Sequence, residues 1–89
     1  MNRIGRYVQL TELGGEISRS SNGIVSIVVI IASALVGTFN LYDSAGNAIL
    51  TKTAGNSGTF TVAGPVYALT YALSSTSDAG NVSVGYLTN

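Results

Sequence analysis

Val66-Tyr67-Ala68-Leu69-Thr70-Tyr71-Ala72-Leu73-Ser74 sets Tyr67, Leu69, Tyr71 and Leu73 on one face of an extended chain and Ala68, Thr70 and Ala72 on the other. A repeat of two belongs to a strand with one side against a core. The same alternation recurs on both sides of this stretch. Phe39 and Leu41 oppose Thr38, Asn40 and Tyr42; Phe60 and Val62 alternate with Thr59 and Thr61; Val82, Val84 and Tyr86 alternate with Ser83 and Gly85. Gly14-Gly15, Asn22-Gly23, Ala45-Gly46-Asn47, Ala54-Gly55-Asn56, Gly64-Pro65 and Ala79-Gly80-Asn81 punctuate these runs with residues that suit tight turns. The spacing predicts seven strands, at about Arg6–Leu13, Ile24–Ala32, Gly37–Asp43, Ala48–Thr53, Thr59–Ala63, Val66–Ser74 and Asn81–Leu87. No window carries an amphipathic helical pattern, and Pro65 stands at a strand start, where a missing N–H does least harm. The expected class is all-β: a compact antiparallel β-sandwich or jelly-roll-like fold.

One strand departs from the alternation. In Ile24-Val25-Ser26-Ile27-Val28-Val29-Ile30-Ile31, Ile24, Val28 and Ile30 fall on one side and Val25, Ile27, Val29 and Ile31 on the other. A sheet with one face on a core leaves the other face outside. A strand apolar on both faces therefore needs a second cover, from another subunit or from the N-terminal segment of its own chain. The face of Val25, Ile27, Val29 and Ile31 is the candidate subunit interface.

Eighty-nine residues support a single domain, with residues 1–22 as an N-terminal strand or arm and residues 23–89 as the core. A core of this size is marginal, and such domains commonly add disulfides, a metal or partner subunits. Cysteine and histidine are both absent, which removes disulfides and the commonest metal ligand and leaves oligomerisation. Charged residues make up only 9% of the chain, where a free soluble domain carries about 25%. Four dispersed cations cannot neutralise a run of phosphates, so no nucleic-acid partner is expected. Arg3, Arg6 and Arg19 are candidate rim contacts of a protein interface. Residues 24–36 are too short and too rich in Ile and Val for a membrane helix, so no membrane partner is expected either. Glu12 and Glu16 interrupt the segment where an export signal would be apolar, which argues against secretion.

Catalytic constellations fail by inventory. Nucleophile systems built on His or Cys are impossible, and Lys52 has no S-x-x-K spacing. Nothing in the spacing unites Glu12 with Glu16 or Asp43 with Asp78, and all four are expected to be solvated. Asp43-Ser44-Ala45-Gly46-Asn47 brings one carboxylate where calcium wants six to eight oxygens, so it is expected to be a hairpin capped by Asp43. No enzyme activity, metal or cofactor is expected. Among the tyrosines, Tyr7 and Tyr42 are candidate contact residues, while Tyr67, Tyr71 and Tyr86 are expected to pack in the core.

From about Gly23 to Tyr86 the chain resembles short structural proteins of tailed bacteriophages. The resemblance lies in the Val/Ile strand, in Gly37-Thr38-Phe39-Asn40-Leu41-Tyr42-Asp43, in Gly46 with Ile49 and Leu50, and in Val82-Ser83-Val84-Gly85-Tyr86. Such proteins resemble capsid decoration or cement proteins, head fibres and tail components, usually β-sandwiches or jelly rolls and often trimeric. The resemblance implies a homo-oligomer, with a trimer favoured, made in the host cytoplasm. It would bind the major capsid protein or another virion protein at the capsid surface, across subunit junctions, and stabilise the head. It carries over no catalytic residue, and the N-terminal segment would reach neighbouring subunits. The alternatives are a tail, fibre or neck component, or a carbohydrate- or cell-surface-binding β-module.

Overall fold

The computed structural model describes residues 7–88. Its strands are β1 (Tyr7–Leu10), β2 (Gly14–Ile31), β3 (Phe39–Tyr42), β4 (Ala48–Lys52), β5 (Gly58–Leu73) and β6 (Val82–Thr88). The all-β antiparallel class holds. Hydrogen bonds join the strands into one sheet, in the order β1-β6-β2-β5-β3-β4, and no separate second sheet forms among the described residues. Six strands replace the expected seven because β5 runs straight through Gly64-Pro65. Pro65 falls where the register with β2 slips, between the pairs Ser26–Ala63 and Ile24–Val66, so its missing N–H breaks no ladder bond.

The two long strands carry the sheet around a corner. Register shifts between Glu16 and Ser18, Arg19 and Ile24, and Ile24 and Ser26 put extra residues into the β2–β5 pair and bend it. Beyond the corner, Ile24–Ile31 lies between β6 and the first part of β5. Before it, Gly14–Arg19 pairs only with the second part of β5, which also carries β3 and then β4. Leu10, Ile27, Val29, Val82 and Val84 from one half share a single core with Phe39, Leu41, Leu69 and Leu73 from the other. One sheet thus folds over on itself and buries apolar residues from both ends.

Side chains close the gaps that the ladder leaves. Lys52 on β4 sets its Nζ 4.0 Å from the centre of the Phe60 ring on β5. The loop from β2 to β3 is fastened to the turn before β6. Val36 and Gly37 donate backbone N–H bonds of 2.9 Å to the two carboxylate oxygens of Asp78. Ser33 donates from its N–H and hydroxyl to Asn81 Oδ1 and accepts from Asn81 Nδ2 at 2.8–2.9 Å. Asp78 is 1% exposed, so its expected solvation is corrected. Its two bonds offset the cost of burying a carboxylate.

The hairpin between β3 and β4 forms as expected. The N–H groups of Ala45 and Asn47 donate to Asp43 Oδ1 at 2.9 Å, and Gly46 takes φ 85°. Tyr71 is buried and Tyr86 packs against the core. Tyr67 is corrected: it lies at the corner, beside Gly23, and is 50% exposed. No helix among the described residues is long and apolar enough to cross a membrane.

Candidate functional site

Strand register decides which side of β2 is outside. Val29 pairs with Phe60 on β5 and Val84 on β6, and all three face the core. Ile27, Val29 and Ile31 are at most 1% exposed, so they cannot meet a partner, and the expected interface face is corrected. The phase is set at Ile24 and Ser26, where the ladder slips: Ile24 stays inside and Val25 becomes half-buried. The outward side of the strand is Ser26, Val28 and Ile30.

Register extends this outward side across the four-strand half of the sheet. One row runs Tyr7, Gly85, Val28, Thr61; the next runs Gln9, Ser83, Ile30, Thr59; a shorter one runs Leu87, Ser26, Ala63. None of these eleven positions carries a charge. Val28, Ile30 and Leu87 are half-buried among Ser, Thr, Gly and Ala, and Tyr7 is 44% exposed at the β1 edge. With strands about 4.8 Å apart and about 6.8 Å per two residues, the face covers about 360 Å². Loss of charge with retention of Tyr and aliphatic residues is the composition of an interface centre.

The other expected site residues lie elsewhere. Arg3 and Arg6 lie outside the described residues. Arg19 sits on the free edge of β2, largely exposed, with its Nη2 2.8 Å from Glu16 Oε2, an exposed pair of small energetic value. Residues 7–22, within the segment 1–22 expected to be a strand or arm, are in large part strand: β1 bonds to β6, and Gly14–Arg19 bonds to β5. Tyr42 is half-buried and points outward from the other half of the sheet, opposite Thr70 and Ala48. It is not part of the uncharged face.

Glu12 and Glu16 are brought to one open groove of about 270 Å³ between β1 and the start of β2, with Tyr71 and Thr11 also lining it. Both carboxylates are exposed there. Among the described residues, no three acidic side chains gather where they could hold a metal ion. The outward Val28 and Ile30 carried a signal in the sequence. Their cross-strand neighbours Thr59, Thr61, Ser83 and Gly85 are small or polar, whereas those of Val29 are Phe60 and Val84. The chain matches no family model and no curated protein.

Proposed function

We propose that this chain is a structural virion protein, a capsid decoration or cement protein that docks through its uncharged sheet face. The observation that carries this reading is the face itself: eleven outward positions without a charge, in a protein whose remaining surface is also charge-poor. The phage resemblance supplies the setting, the capsid surface of a particle assembled in the host cytoplasm. No catalytic step is assigned to the chain. A face of about 360 Å² is half of what one partner gives to a standard interface, about 800 Å², so a single copy would bind weakly. Many copies on a repeating shell gain strength by multivalency, which is what reinforcement of subunit junctions requires.

The test is recovery in particles. Virions are purified from lysates of cells producing this chain, heads are separated from tails, and its peptides are quantified against the major shell protein. A fixed stoichiometry in heads is expected; absence from particles, or recovery in tails alone, overturns the cement reading. The face is tested by Val28→Lys combined with Ile30→Lys. Both side chains are outward and half-exposed, so the double variant is expected to keep its circular dichroism spectrum and lose at least tenfold in binding to shells stripped of the wild-type chain. A tenfold loss is about 1.4 kcal/mol. Unchanged binding would remove this face from the proposal.

A further inference from the structure

The four-strand half of the sheet ends along Gly58–Ala63. These residues bond to β2, and no strand lies on their other side among the described residues, because β5 meets β3 only from Thr70 onward. Free edges are normally blunted by charges or bulges. The other edges carry such devices. Glu16 and Arg19 lie on the first part of β2, Lys52 and a register slip lie on β4, and Arg6 and Glu12 flank β1 in the sequence. From Thr53 to Ser77 there is no charged residue at all.

Burial is also incomplete along this edge, although Lys52 reaches across from β4 and sets its Nζ 4.0 Å from the centre of the Phe60 ring. Phe60 and Val62 face the core yet stay half-buried, while their partners on β2, Val29 and Ile27, are fully buried. The segment Gly58-Thr59-Phe60-Thr61-Val62-Ala63-Gly64 is close to palindromic in residue type. We propose that a second copy of this chain pairs here, β5 against β5, antiparallel about a two-fold axis at Thr61.

In that pairing Thr61 meets Thr61 and Thr59 meets Ala63 on the outer side, and Phe60 meets Val62 on the inner side. A two-fold interface requires a patch complementary to itself, and a near-palindromic edge strand that carries no charge of its own meets that requirement. Cross-strand Thr pairs and aromatic–aliphatic pairs are favourable. The joined copies present one continuous uncharged face of about 720 Å², close to the area that one partner gives to a standard interface. The pairing stands apart from the shell reading, since a chain that never meets a capsid can still pair.

The experiment is sedimentation velocity on the full chain from sub-micromolar to high micromolar concentration. Twice the monomer mass is expected at the upper end. Thr61 is exposed, so Thr61→Lys and Thr61→Glu are expected to keep the wild-type spectrum and to sediment as monomers throughout. An equimolar mixture of the two restores the doubled mass, because the opposite charges then face each other across the axis. In the wild type alone, amide exchange at residues 59–63 is expected to slow as concentration rises. A wild-type monomer at every concentration, a trimer, a dimer indifferent to Thr61→Lys, or a mixture that stays monomeric would each overturn the pairing.

Discussion

Asp78→Ala is expected to cost about 3 kcal/mol, because it strands two part-buried backbone N–H groups at once. Val36 and Gly37 each donate to one carboxylate oxygen at 2.9 Å, and the side chain that accepts them is 1% exposed. Hydrogen bonds to a charged acceptor are worth about 1.5–3 kcal/mol each. For a domain of this size the loss corresponds to a fall in Tm of about 12–24 °C. Asp78→Asn keeps the shape and one acceptor but turns an amide N–H toward a backbone N–H. It is therefore expected to recover less than half of the loss. Thermal and urea unfolding of the three proteins, followed by circular dichroism, measure this. A loss below about 1 kcal/mol for Asp78→Ala would mean that the loop from β2 to β3 is not held by this carboxylate.

The importance of Asp78 was hidden in the sequence for a physical reason. It ends a run of Ser74, Ser75, Thr76 and Ser77 that resembles a solvated turn, and its partners stand 41 and 42 residues away. Only the folding of the sheet brings Gly37 against it. By contrast, the strands β3 and β6 were legible because each has one face on the core, so Phe39 with Leu41 and Val82 with Val84 recur at period two. The start of β2 was not legible. Gly14–Arg19 has a strand on one side only, so the core makes few demands on Ser18 or Arg19, and the stretch shows no repeat of two. The break at Gly64-Pro65 misled in the opposite direction. Glycine and proline mark chain ends in most strands, whereas here they let β5 slip its register at the corner. The face of β2 was misassigned because a strand apolar on both sides carries no phase of its own. Its neighbours carry that phase, through Phe60 and Val84 opposite Val29.

The corner makes the second large prediction. Gly64→Ala is expected to cost at least about 3 kcal/mol and to leave little soluble folded protein. A Cβ on Gly64 would fall on the carbonyl oxygen of Ile24, and it would also lie 3.0 Å from the Ile24 carbonyl carbon and the Val66 nitrogen. These are backbone atoms, so no rotamer change relieves the overlap. Ile24 cannot retreat either: it is 0% exposed and pairs with Val66 on one side and Thr88 on the other. Moving it would loosen the point where both long strands turn, and with it the contact between the two halves of the core. Total stability for a chain of this length is about 4–13 kcal/mol, so such a loss removes a large share of it. Gly46→Ala supplies the contrast. A Cβ there meets nothing within 4 Å, and only its φ of 85° opposes the change, at about 1–2 kcal/mol. If soluble yield and unfolding midpoints ranked the two variants in the opposite order, the close passage of β5 over Ile24 would not be what shapes the corner.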